Sequence, residues 1–171
     1  RATFFVVGEN VKKYPDIIKR MIQEGHVIGI HCYNHSYEKI YAGVQEYIDD
    51  FEQAKKLVYE ITGEEVWCYR FPGGSINKYN KHIYSDIIEK MSEQGYVYYD
   101  WNGCFEDAVS NPSREQIVKN AVESTLKRKK VIMLAHDTVD ETAECLNEVL
   151  DLLPEYEFLP LSKEVLPIQF K

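Results

Sequence analysis

His31 and His35 stand four residues apart in His31-Cys32-Tyr33-Asn34-His35. That spacing sets two imidazoles on one side of a helical turn, where both can bind one metal ion. Two neutral nitrogens leave a divalent ion short of ligands, so a carboxylate and water are expected to complete the set. No acidic residue lies between or beside the two histidines, and surface or hydrogen-bonded imidazoles are the competing account of the pair. His136, in Leu134-Ala135-His136-Asp137, ends another apolar run. A lone histidine there serves structure as readily as catalysis. A carboxylate on the same face would orient it, hold it protonated toward neutrality and make it a proton donor. Asp100, which closes a further run, is the expected partner. Arg70, stiffened by the Phe71-Pro72 step, can fix a carboxylate with two hydrogen bonds. Gly73 and Gly74 can turn backbone N–H groups toward a developing oxyanion, or simply form a turn. Trp101 offers a hydrophobic wall or a stacking platform. His26, before a strand, and His82, at a helix start, are read as structural.

Such groups need elements to carry them. Runs of strand length occur at Thr3–Val7, Val27–Ile30, Val66–Tyr69, Tyr96–Tyr99, Val131–Leu134 and, weakly, Phe158–Leu161. Most are apolar or aromatic throughout, as strands buried on both faces should be. Helical periodicity marks Asp16–Glu24, Val44–Thr62, Ile83–Gln94 and Glu141–Leu153, and Ser113-Arg114-Glu115-Gln116 is a capping-box sequence opening another helix. The first three of these patterns stop at Gly25, Gly63 and Gly95. Alternating strands and helices predict parallel strands joined by right-handed crossovers, hence an α/β sheet or barrel. His31 and His35, Arg70 to Gly74, Asp100 with Trp101, and His136 each follow a strand. Carboxyl ends of parallel strands share one face, so these groups are expected to converge.

Composition narrows the partner. A chain of 171 residues fits one domain, taken here as 1–171. With 20 Lys and Arg against 28 Asp and Glu, the net charge of −8 disfavours nucleic acid and anionic membranes, whose phosphates would be repelled. No apolar run reaches the roughly 18 residues of a membrane span. The 13 Tyr, 7 Phe and 2 Trp supply flat faces for packing or for stacking on sugar rings. Cys32, Cys68, Cys104 and Cys145 form no CxxC pair and read as free, mostly buried thiols. The sequence opens at Arg1 with a strand already under way and no signal peptide, so an upstream part is expected to be missing.

Together, Ala2-Thr3-Phe4-Phe5-Val6-Val7-Gly8, Glu24-Gly25-His26-Val27-Ile28-Gly29 with His31-Cys32-Tyr33-Asn34-His35, Arg70-Phe71-Pro72-Gly73-Gly74-Ser75, Asp100-Trp101-Asn102 and Leu134-Ala135-His136-Asp137 resemble the polysaccharide deacetylase family, also called the chitooligosaccharide deacetylase homology domain. The resemblance runs to about residue 161 with the motifs in family order. It implies a distorted, incomplete (β/α) barrel and metal-dependent removal of acetyl groups from N-acetylglucosamine units of peptidoglycan or chitin-like glycans. It further implies His31 and His35 as ligands of one divalent ion, with zinc favoured, and Arg70 as the residue positioning the catalytic-base carboxylate. Asp100 would tune His136, the general acid for the leaving amine. Gly73 falls where many members have Tyr and would keep the oxyanion amide while losing the ring. Trp101 would line the groove, Leu134 would help form the acetyl pocket, and the place of action would be extracellular or in the cell envelope. The family's first motif, Thr-Phe-Asp-Asp-Gly, whose two aspartates supply the base and the third ligand, does not occur. The 171 residues alone are therefore expected to have little or no deacetylase activity. A non-catalytic glycan-binding or interaction domain and an acetylxylan-type O-deacetylase are the alternatives.

Overall fold

The computed structural model describes residues 1–109 and 112–170. The apolar runs at Thr3–Val7 (β1) and Val27–Cys32 (β2) pair in parallel, Thr3 beside Val27 and Val6 beside Ile30. The register then shifts, so that Val7 lies beside Cys32. Cys68–Tyr69 (β3) and Val97–Tyr98 (β4) extend this into a parallel sheet of order β1-β2-β3-β4. Gly103–Cys104 (β5) and Met133–Leu134 (β6) make a second parallel pair. Helices α1 (Gly8–Lys13), α2 (Pro15–Gln23), α3 (Tyr37–Ile40), α4 (Val44–Thr62), α5 (Tyr84–Glu93), α6 (Arg114–Thr125) and α7 (Asp140–Asp151) fall between or after the strands. The parallel α/β alternation thus holds, and the strands close no barrel among the described residues.

The chain divides into two compact units, Arg1–Asp100 with the segment from Phe158 onward, and Trp101–Glu157. In the first, α4 buries Tyr47, Phe51, Ala54 and Val58 against the sheet residues Ile28, Ile30 and Tyr69. Those positions recur every three or four residues, the stripe that a helix presents to a core. Burying a ring the size of Phe51 stabilises by roughly 1.5–3 kcal/mol relative to exposure. In the second unit, Ile117, Val118 and Ala121 of α6 meet Cys145 and Val149 of α7 and Phe105. Ser113 caps α6, its Oγ accepting the Gln116 N–H at 3.3 Å, while the Gln116 side chain turns to Asn120. Only half of the expected capping box is therefore formed.

Several strand runs shrink to two paired residues, and Phe158–Leu161 pairs with no strand among the described residues. Leu161 instead donates its N–H to Thr3 Oγ1 at 2.8 Å. β6 falls inside the expected run Val131–Leu134, whereas β5 has no periodic signal in the sequence. Its start is set by Asn102, whose N–H donates to the Ile132 carbonyl at 3.1 Å and whose Oδ1 accepts the Ile132 N–H at 2.7 Å. Gly103 lets the strands close up, because a Cβ there would come within 2.6 Å of Val131 Cγ1. The four cysteines form no disulfide, and Cys32, Cys68 and Cys145 are buried.

Candidate functional site

His31 belongs to β2, and the chain leaves the sheet after Cys32, so the two histidines do not share a helical turn. They are brought together by strand end and loop: His35 takes a left-handed φ of 55°, and its ring lies 5.1 Å from that of His31 at an interplanar angle of 39°. His31 Nδ1 lies 2.8 Å from the Arg70 carbonyl on the neighbouring β3 edge. A carbonyl only accepts, so Nδ1 carries the proton and metal coordination falls to Nε2. Cys32, between the two histidines, is buried. Burial, helped by the Asp50 charge, pushes the Cys32 thiol up to about 12, which keeps it protonated. The donor chemistry of two imidazoles with one tautomer fixed fits a divalent ion as a pair of ligands. Among the described residues, no group of three or more His, Cys, Asp or Glu is placed to hold one.

Arg70 is buried, with its Nε donating to the Tyr99 carbonyl at 2.9 Å and its guanidinium 4.4 Å over the Phe5 ring. Both contacts orient the fork. Beyond it, Phe71-Pro72-Gly73-Gly74 is a turn closed by Gly74 N–H to the Phe71 carbonyl at 2.9 Å and held by Tyr41 Oη on the Pro72 carbonyl at 2.7 Å. Gly73 is exposed, with φ 75°, and a Cβ there would lie 3.1 Å from Tyr37 Cε1 and 3.2 Å from Tyr37 Oη. The flank of Gly73 is thus taken by a phenol from α3. Tyr37 stacks on Tyr79 at 4.9 Å and stands edge-on to His35 at 5.3 Å.

Asp100 corrects the sequence expectation. It is completely buried, Oδ1 accepting the Ser75 N–H at 2.9 Å, and Oδ2 accepting Ser75 Oγ at 2.6 Å and the Phe170 N–H at 2.8 Å. These bonds tie the turn after Gly74 to the chain near residue 170. The carboxylate that orients His136 is Asp107, in the unit containing both. Its Oδ1 lies 2.7 Å from His136 Nδ1, and Oδ2 accepts the His136 N–H and the Thr142 hydroxyl, each at 2.7 Å. Burial works against the Asp107 charge, but the hydrogen bonds from His136 and Thr142 outweigh it, so its pKa lies below the usual carboxylate value. Nδ1–H of His136 donates to this carboxylate, and proton exchange with a substrate then falls to Nε2. Leu134 lies half-buried in β6, its carbonyl accepting the Phe105 N–H at 2.9 Å, and Trp101 is half-buried ahead of β5. Sequence reasoning missed Asp107 because it follows a strand of only two residues. The available signal was an acid placed just past Phe105, as the other candidates sit just past apolar runs.

Parallel strands thus carry the imidazole pair at the end of β2 in the first unit and the His136–Asp107 couple after β6 and β5 in the second, an α/β arrangement. A family model described as "Polysaccharide deacetylase" matches residues 1–98. The chain is 29% identical over 178 aligned positions to a peptidoglycan-N-acetylglucosamine deacetylase of Bacillus cereus, an alignment covering 99% of this chain and 63% of that protein. This chain therefore spans less than two thirds of that relative's length. The crystal structure of the catalytic domain of peptidoglycan N-acetylglucosamine deacetylase from Eubacterium rectale superposes with TM-score 0.93 at 29% identity, covering 99% of this chain and 80% of that one. A polysaccharide deacetylase from Bacillus cereus gives TM-score 0.88 at 29% identity, with coverage of 99% and 83%. The chain belongs to the polysaccharide deacetylase family, and its fold is the open (β/α) barrel type of those catalytic domains.

Proposed function

We propose that the protein hydrolyses the acetamide of N-acetylglucosamine units in peptidoglycan, releasing acetate and a free amine, with the help of one divalent ion, zinc being the first choice. The observation that carries this reading is the His31–His35 pair with the His31 tautomer fixed by the Arg70 carbonyl. His31 and His35 would hold the ion, which when bound would supply Lewis acidity to the acetyl carbonyl. Arg70, pinned by Tyr99 and Phe5, would orient the carboxylate that serves as base toward the attacking water, a group these 171 residues do not themselves contain. The exposed Gly73 amide donates to the oxygen as negative charge develops. As the C–N bond breaks, His136 gives the proton on Nε2 to the departing nitrogen, and Asp107 stabilises the imidazolium beforehand. Leu134 forms a wall for the acetyl methyl and Trp101 a face for the glycan, within one catalytic domain of residues 1–171.

A net charge of −8 suits a glycan partner rather than nucleic acid. No described helix is long and apolar enough to cross a membrane. Acting on peptidoglycan, the protein would work outside the cell or in the cell envelope. The test is acetate release from defined N-acetylglucosamine oligomers by the full protein, with metal analysis. His136→Ala is expected to lower release about 10²- to 10⁴-fold while sparing metal content, and His31→Ala to lose both. Wild-type metal content in His31→Ala would overturn the ligand assignment. Release from acetylated xylan alone would move the substrate to an O-acetylated glycan.

A further inference from the structure

The loop between His31 and His35 is held from outside itself. Asp50, on α4, accepts the Tyr33 N–H at 2.6 Å. The carbonyl of the same Tyr33 accepts the Glu9 N–H at 2.9 Å from the first turn of α1. Gly8 packs so closely under the Tyr33 ring that a Cβ there would clash. Both faces of the Tyr33 peptide are therefore clamped, and the next two residues lead into the left-handed backbone of His35. A non-glycine residue in that region persists only where its surroundings over-determine it. Asp50 itself stands on a firm base, because Tyr47, Phe51 and Ala54 of the same helix are buried in the core. Its carboxyl is half-buried.

We propose that Asp50 is a positioning residue of the metal centre. By accepting the Tyr33 N–H, its carboxylate sets the backbone that aims His35 at an ion shared with His31. This rests on the metal-dependent reading above. Asp50 acts through the loop backbone rather than as a ligand. Groups that orient metal ligands in this way typically govern about 10- to 100-fold in metal affinity.

The test uses the full protein stripped with a chelator and titrated with Zn²⁺ against a competing indicator dye, then with Co²⁺ followed by its visible spectrum. Asp50→Ala is expected to weaken Zn²⁺ binding about 10- to 100-fold and to alter the Co²⁺ bands. Asp50→Asn keeps one acceptor oxygen and should recover part of the affinity, which a merely structural role would not predict. The exposed neighbour Asp49, whose Oδ1 accepts from Gln45 Nε2 at 2.8 Å, should be replaceable by Ala without change. Wild-type Zn²⁺ affinity and Co²⁺ spectrum in Asp50→Ala, with binding lost in His31→Ala, would overturn the role of Asp50 alone. Wild-type affinity in both His31→Ala and His35→Ala would instead overturn the metal centre. Should Asp50→Ala fail to fold, Asp50→Asn decides: lowered thermal stability with unchanged affinity and spectrum overturns the proposal.

Discussion

Replacing Asp107 by Asn changes one atom at the heart of the proposed proton transfer and leaves most of its surroundings intact. The Asn carbonyl, placed where Oδ2 lies, can still accept the His136 N–H and the Thr142 hydroxyl, the two 2.7 Å bonds that hold this stretch together. Its amide nitrogen then takes the place of Oδ1, 2.7 Å from His136 Nδ1, where it is a donor instead of an acceptor. The imidazole must turn to the other tautomer, and its protonated form loses a hydrogen bond to a charged group. Such bonds are worth about 1.5–3 kcal/mol. At about 1.36 kcal/mol per decade, Asp107→Asn should lower kcat/KM for acetate release about 10- to 150-fold. The assay is a double-mutant cycle with His136→Ala in the full protein, with N-acetylglucosamine oligomers as substrate. Because Asp107 is argued to act through His136, the double variant should be no slower than His136→Ala alone. Wild-type kcat/KM in Asp107→Asn, or losses that multiply in the double variant, would refute the reasoning.

The same aspartate sets an acid limit on stability. Its folded pKa lies below the ordinary carboxylate value, so its contribution is present above the unfolded pKa near 4 and is lost as pH falls through the lower folded value. Urea melts should therefore show wild type losing more stability than Asp107→Asn on going from about pH 4 to pH 2. At Gly73, φ is 75° and Tyr37 stands 3.1 Å from the position of a Cβ; at Gly95, φ is 84° with nothing within 4 Å. Both glycine-to-alanine changes incur about 1–2 kcal/mol of backbone strain, but Gly73→Ala should cost more by thermal melting, and Tyr37→Ala should remove the excess. Equal costs would deny the Tyr37 contact. With a thiol reagent at pH 8, native protein should label first at Cys104, the half-exposed thiol, since burial pushes Cys32 and Cys68 up to about 12. Fast labelling of Cys32 would contradict its burial.

Where periodicity spans many residues, the sequence reads through to the structure. Val44–Thr62 is helical throughout because its buried positions recur from Tyr47 to Val58, over about three turns, and Gly63 stops it. Thr3–Val7 is likewise a strand throughout. Short elements escape such reading: α1 and α3 hold six and four residues, and β5 only two. For the site, residue type and strand-end position singled out His31, His35, Arg70, Gly73 and His136. What they could not supply was which carboxylate meets which partner. Asp100 and Asp107 both follow short strands, and the choice between them depends on Ser75, Phe170 and Thr142, which lie far away along the chain. Asp50 hides for another reason, since a charge one position from Phe51 looks like the solvated edge of an amphipathic helix.

The bonds from Asp100 to Phe170 and from Leu161 to Thr3 also bear on the order in which this protein is made. The first unit is discontinuous, and its final stretch is translated only after all of Trp101–Glu157. Until residue 170 has left the ribosome, the Asp100 carboxylate lacks one of its three donors, and Thr3 lacks a partner 158 positions further on. Contacts between residues so distant in sequence form late and slowly. A chain that had emerged only as far as residue 157 would therefore present a sheet whose buried acid is only partly satisfied, while the Asp107–His136 couple, local to its own unit, would already be in place.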